Sequence, residues 1–156
     1  MQGKSKVIDL LKKQLTLELS SMDQYLAHGK MFEDWGIKEL HEHALHEYEE
    51  ELDHVKKITE RILFLEGEPD TAARAPIKVG SNVKEMLEFD LEAEKEVAES
   101  LRHIIGVCEQ EQDYVSREML EELLNDTEMD HIYWLEQQLG LIDKIGLPNY
   151  IQSKMS

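Results

Sequence analysis

Two Glu-x-x-His steps, Glu51/His54 and Glu128/His131, and two further glutamates, Glu18 and Glu94, interrupt stripes that are otherwise mostly apolar. Each stripe is read at steps of three and four residues, the spacing that keeps side chains on one face of an α-helix. The first runs Leu11, Leu15, Glu18, Met22, Tyr25, and the second Leu40, Ala44, Glu47, Glu51, His54, Ile58, Ile62, Leu65. The third runs Val83, Leu87, Glu94, Ala98, Leu101, Ile105, stepping past Asp90 or Leu91, and the fourth Leu120, Leu124, Glu128, His131, Leu135, Leu139, Ile142. A glutamate three residues before a histidine shares its face, about one turn away. Buried carboxylates without partners would be costly or would take up protons. Two divalent cations would balance four of them. A carboxylate can bridge two ions, and a neutral imidazole can fill a position on each. This oxygen and nitrogen set suits iron or manganese, admits zinc, and lacks the thiolates of structural zinc. Open coordination positions would leave room for an oxidant.

A single glutamate on an apolar stripe is ordinarily a surface residue whose stem covers its neighbours, and one Glu-x-x-His is a weak signal. Two such steps, each preceded by a stripe glutamate, are much harder to obtain by chance. Glu18 precedes Glu51 by 33 positions, and Glu94 precedes Glu128 by 34. The same constellation is the general signature of di-iron and di-manganese carboxylate bundles, so it is matched here to a known pattern.

Four long helices must position these groups. Their predicted spans are about Lys4 to Asp34, Lys38 to Glu66, Asn82 to Gln112 and Asp113 to Leu139, with a short fifth helix from Pro148 to Ser153. Gly36 and Gly67 suit helix ends. Asn82 with Glu85 three residues on resembles a capping box, and Asp113 suits a cap. Two breaks are tight and predict antiparallel hairpins. The segment from Gly67 to Ser81 is long. A helix of about 28 residues spans about 42 Å, and 15 extended residues reach about 50 Å. This segment can therefore travel the length of a bundle, making helices two and three parallel. The fold class is all-α: a four-helix bundle with one long crossover, in one domain over residues 1–156.

Composition limits the partners. The chain has 156 residues, 34 acidic against 17 basic, and a formal net charge of −17. Such acidity argues against nucleic acid and for cations. No apolar run approaches a membrane span. The N-terminus lacks a signal peptide, and the single Cys108 offers no disulfide framework, so a cytoplasmic location is expected.

The ligand set, together with Asp23-Gln24-Tyr25, Arg61-Ile62-Leu63-Phe64-Leu65-Glu66-Gly67, Asp113-Tyr114-Val115-Ser116-Arg117 and Trp134-Leu135-Glu136, resembles the bacterioferritin and bacterial ferritin family over nearly the whole chain. The resemblance implies a ferritin-like fold and a hollow 24-subunit shell. It implies that each bundle oxidises two Fe(II) with O2 or H2O2 and that ferric mineral is stored inside. It also implies residue roles. Glu18 and Glu94 would be terminal ligands, Glu51 and Glu128 bridging carboxylates, and His54 and His131 one imidazole per iron. His46 and Glu50 match an inner-surface pair that holds an extra iron, with Glu47 beside the ligands or along an iron route. A solvated helix face is the plain alternative for that pair. Tyr25 is read either as a hydrogen-bonding neighbour or electron donor of the site, or as a buried tyrosine with a satisfied hydroxyl. The terminal segment around Asn149 and Gln152 resembles a pore-lining helix, or docks on its own bundle. A ferredoxin-type reductant for iron release and a shell mixed with a haem-binding paralogue are further partners the resemblance implies. Another di-metal carboxylate oxidase is the alternative activity. His28, His41, His43 and His103 have no ligand partners by spacing and are expected on the surface.

The chain departs from the family in two places. The haem-ligating methionine is replaced by Leu52, which offers iron no donor atom. Met31 and Met86 are expected as packing residues. The stretch from Asn125 to His131 is one residue longer than the common form, so a local bulge is expected there. No methionine-ligated haem is expected in the homopolymer. Purification with haem supplied checks this, and stoichiometric low-spin haem absorption would contradict it.

Overall fold

The computed structural model describes all residues 1–156. Helix α1 is Ser5–Asp34, α2 Lys38–Phe64, α3 Val83–Gln110, α4 Tyr114–Asp126, α5 Tyr133–Ile145 and α6 Leu147–Ser153, with a π-turn over Thr127–Ile132 between α4 and α5. Segments α4, π-turn and α5 run on without a break, so four long rods form the bundle and α6 is the short addition. The fourth rod passes Leu139 and Gly140 and stops at Gly146, whose φ is +83°. A lone glycine in a helix costs about 1 kcal/mol relative to alanine, which packing overrides at Gly140.

Three of the rods end in the same way. The chain turns through a left-handed residue, and two backbone bonds close the end. At α1 the residue is Gly36 (φ 75°), with Ile37 N–H bonded to Phe32 O at 2.9 Å. At α2 it is Glu66 (φ 68°), with Gly67 N–H bonded to Ile62 O at 2.9 Å. At α3 it is Gln112 (φ 59°), with Asp113 N–H bonded to Cys108 O at 2.9 Å. Gly67 therefore serves close approach rather than a positive φ: an added Cβ would stand 2.6 Å from Ile8 Cγ2. The side chains of Asn82 and Asp113 cap α3 and α4 by accepting from Glu85 N and Ser116 N. Glu85 reaches back to Ser81 N at 2.8 Å, one residue earlier than a capping box requires.

Cross-helix pairs give the directions. His54 meets Glu18, Tyr25 meets Glu94, and Arg61 meets Ser116 and Asp113. Neighbours α1/α2, α1/α3 and α2/α4 are thus antiparallel, and α2 and α3 run parallel as the long crossover predicts. That crossover is held by polar residues of α1 at helical spacing. Ser20 Oγ accepts from Ala75 N at 2.7 Å, Gln24 Oε1 from Lys78 N at 3.2 Å, and His28 Nε2 from Gly80 N at 3.1 Å. His28 Nδ1 and Gln24 Nε2 both reach Asp90 Oδ1 at 2.8 Å. His28 is therefore fully buried, against the expectation of a surface position, because the crossover offers its ring a donor and α3 an acceptor.

Two apolar clusters fill the ends of the bundle. The larger contains Leu11, Leu15, Ile58, Ile62, Leu101, Ile104 and Leu120, with Leu52 half-buried against it. The smaller contains Phe32, Leu40, Met86, Leu87, Leu135, Ile142 and Tyr150, with Met31 against it. A polar layer lies between them. Helix α6 docks on its own bundle: Tyr150 is fully buried and donates to Gln138 Oε1 at 2.6 Å. No helix is long and apolar enough to cross a membrane.

Gly80 carries the tightest crossover contact, since an added Cβ would lie 2.6 Å from Met86 N and 2.8 Å from Met86 Cα, atoms of a helix backbone. Gly80→Ala is expected to lower unfolding free energy by roughly 1–3 kcal/mol. Gly106→Ala, with open space around it, is expected to raise it by up to about 1 kcal/mol. Denaturant titration of both variants checks the opposite signs.

Candidate metal centre

The polar layer brings five of the six expected ligands together. Glu18, Glu51 and His54 form one group, and Glu51, Glu94 and His131 a second, each with one donor atom per residue lying within 4.8 Å of the others. Glu51 belongs to both. All five residues are buried. The two imidazoles stack loosely, ring centroids 6.2 Å apart, and turn the same nitrogen inward. His54 Nδ1 lies 3.5 Å from Glu18 Oε2 and 3.8 Å from Glu51 Oε2. His131 Nδ1 lies 3.1 Å from Glu94 Oε1 and 3.3 Å from Glu51 Oε1.

The outward nitrogens are held by acids. His54 Nε2 is 3.1 Å from Asp126 Oδ2. His131 Nε2 is 2.6 Å from Glu47 Oε2 and 2.5 Å from Glu50 Oε2. A carboxylate on Nε2 favours the tautomer with its proton there and leaves Nδ1 free to bind a cation. His46 Nε2 pairs with Glu50 Oε1 at 3.0 Å. His46, Glu47 and Glu50 thus make a third, shallower acidic group. His46, Glu50, Asp53, His54 and Asp126 line a surface depression of about 290 Å3 leading toward the buried pair.

Glu128 does not join the centre, against the sequence expectation. Its carboxylate faces outward, 43% exposed, and pairs with Arg102 at 3.0 Å. The cause is the π-turn. A turn closed from i to i+5 carries more residues per revolution than an α-turn. Four residues then return a side chain to one face, where three no longer do. Thr127, four before His131, is accordingly the buried one, its hydroxyl donating to Leu123 O at 2.9 Å. The bulge itself falls where the extra residue predicts it.

Other expectations sort as follows. Tyr25 donates to Glu94 Oε1 at 2.7 Å, so it is both a satisfied hydroxyl and a neighbour of the site. His41 is partly buried between Gly29 O and Glu33, and His43 stacks on Trp134 with centroids 3.4 Å apart, its Nε2 3.4 Å from Glu47. Both correct the surface reading, which holds for His103 alone. Burial pushes the His43 imidazole down to about 3. Cys108 is buried, and that burial pushes its thiol up to about 11. Gln14 and Asp126 were not anticipated. Gln14 was visible as a polar residue at stripe spacing between Leu11 and Glu18. Asp126 carried no signal, because the π-turn breaks the periodicity that would align it with His131.

The electrostatics are those of acids and imidazoles crowded together away from water. Burial, then the charges of Glu18 and Glu94, push Glu51 well above the ordinary carboxylate range. His131 is pushed strongly upward: burial opposes this, but Glu94, Glu47, Glu50 and Glu51 outweigh it. Without a cation, protons on these groups compensate the carboxylates. Cations entering the site displace them, so affinity rises with pH. The buried atoms left without hydrogen-bond partners include Glu18 Oε2, both Glu51 oxygens, Glu94 Oε2 and both Nδ1 atoms. Native folds rarely leave such groups unpaired. Their convergence fits a pair of divalent metals.

A ferritin-like domain model matches residues 8–145. The chain is 52% identical to a bacterial ferritin of Synechocystis sp. with both chains covered in full. It is 50% identical to a bacterial ferritin of Pseudomonas aeruginosa over 99% of this chain and 100% of that one. It is 41% identical to a bacterioferritin of Brucella melitensis over 97% and 94%.

The exposed position of Glu128 has a direct consequence. Glu128→Ala is expected to leave Co(II) binding within about twofold, since an exposed ion pair contributes little, whereas Glu51→Ala is expected to abolish the second bound ion. Optical titration of the d–d bands compares the two.

Proposed function

The chain belongs to the ferritin-like family, whose members store iron, and on that premise we propose that it is a ferroxidase that oxidises Fe(II) within each bundle and deposits ferric mineral in a shell of 24 copies. The observation that carries the reading is the set of unpartnered carboxylate and Nδ1 atoms converging between two apolar clusters. We assign one Fe(II) to Glu18, Glu51 and His54 and the other to Glu51, Glu94 and His131, two irons per chain. Each Fe(II) gives up one electron. O2 takes two electrons and two protons and leaves as hydrogen peroxide, or hydrogen peroxide takes them and leaves as two waters.

The surroundings support this use. The acidic depression at His46, Glu50 and Asp126 supplies an approach along which Fe(II) is attracted and ferric iron leaves. Carboxylates on each Nε2 hold the ligand rings in place. The single chain, taken as one domain, exposes large apolar residues. Leu26 and Leu45 are 47% and 48% exposed, and Val115 and Tyr133 61% and 59%. Such surface supports burial against further copies. The one cysteine is free and buried, in keeping with a cytoplasmic protein.

Fe(II) added anaerobically to the purified protein, followed by air, tests the proposal. Rapid oxidation saturating near two iron per chain, in a particle of roughly 24 chains, is expected. Glu18→Ala and His131→Ala are each expected to slow oxidation by at least about tenfold with the particle intact. A monomer that oxidises iron no faster than buffer would refute it.

A further inference from the structure

Gln14 sits one turn before Glu18 on α1 and is fully buried. Its amide nitrogen donates to Glu18 Oε1 at 3.0 Å, while its own carbonyl oxygen has no partner. An amide buried with half of its hydrogen-bonding capacity unmet is costly. Leucine or methionine would fill the same position without that cost. The residue is explained by what its donor does to Glu18.

The two outer carboxylates are each held at one oxygen, but they differ in which one faces the site: the free Oε2 of Glu18 lies 3.5 Å from His54 Nδ1, whereas Glu94 Oε1, the oxygen Tyr25 holds, is the one 3.1 Å from His131 Nδ1. Glu18 Oε1 is taken by Gln14, and Glu18 Oε2 is left unpartnered. Glu94 Oε1 is taken by Tyr25, at 2.7 Å, and Glu94 Oε2 is left unpartnered. Glu51, between them, has neither oxygen taken. A donor on one carboxylate oxygen weakens that oxygen as a ligand and turns the other toward the metal. Glu51 is left as the group with both oxygens free to reach two ions, and Glu128 lies outside.

Resting on the di-metal reading above, we propose that Gln14 is a positioning residue that restricts Glu18 to one-oxygen binding through Oε2, leaving Glu51, with both oxygens free, to reach the two ions. The two donors act on different ions, so their removal has separable effects. Gln14→Met keeps volume and removes the donor. Tyr25→Phe does the same on the other side.

Co(II) titration of the full-length protein, followed by its optical bands, tests this. The wild type is expected to bind in two steps. Gln14→Met is expected to weaken one step by roughly 10–100-fold and leave the other within about twofold. Tyr25→Phe is expected to weaken the opposite step. Thermal unfolding of metal-free Gln14→Met is expected at or below the wild-type temperature, because the orphaned amide oxygen is gone but buried Glu18 Oε1 loses its donor. A residue that only packs the core would leave both steps unchanged, whatever the temperature does. Unmoved steps, or equal weakening of both, overturn the role of Gln14 while the metal centre stands. A wild type that binds no Co(II) overturns the metal centre and this inference together.

Discussion

Three carboxylates and two imidazoles stand at mid-height in a bundle whose ends are filled with aliphatic side chains, and their charge has to be compensated where water is excluded. Bare carboxylates there would be costly enough to drive protonation: burial and its acidic neighbours push Glu51 upward, and the surrounding carboxylates push His131 upward. Several neighbouring polar residues are placed against this layer. Asp126, Glu47 and Glu50 hold the outer ring nitrogens, and Gln14 and Tyr25 hold single oxygens of Glu18 and Glu94. The apolar clusters on either side make the layer rigid, because close-packed side chains leave the ligand rotamers little freedom.

The crossover depends on a second polar system, separate in chemistry but continuous in space. Ser20, Gln24 and His28 accept backbone N–H groups of the crossover, and Gln24 and His28 converge on Asp90, one turn before Glu94. The strap that allows α2 and α3 to run parallel is thus tied to a stripe of α1 separate from the one that presents Glu18 and Tyr25, and the two systems meet through Asp90 and Glu94 on α3. Parallel α2 and α3 in turn put both Glu-x-x-His helices, α2 and the fourth rod, in antiparallel contact across the centre.

The π-turn shows what one extra residue does in a packed helix. Straightening it would rotate everything downstream and carry Leu135 and Ile142 out of the core. Confining it to Thr127–Ile132 keeps Leu120 and Leu123 inward on one side and His131 and Leu135 inward on the other. The cost is the orientation of the residues within the turn: Glu128 leaves the centre and Thr127 enters it. The resulting candidate centre has three carboxylates from the expected set, with Glu51 common to both donor groups.

Much of this was legible in the residues alone. Helix number, the two hairpins, the long crossover and the convergence of five candidate ligands follow from periodicity, because an amphipathic helix has one way to bury its stripe. The cap residues Asn82 and Asp113 follow from short-range backbone chemistry in the same way. What periodicity could not decide was the register inside the fourth rod. Leu124/Glu128 and Leu123/Thr127 both satisfy steps of three and four, and only the packing of Leu123 and His131 against three other helices selects the second. The buried place of His28 and the half-buried places of His41 and His43 were beyond it for a related reason. Each is held by groups distant in sequence, such as Asp90, Gly29 or Trp134, and such partners meet only when the chain has folded.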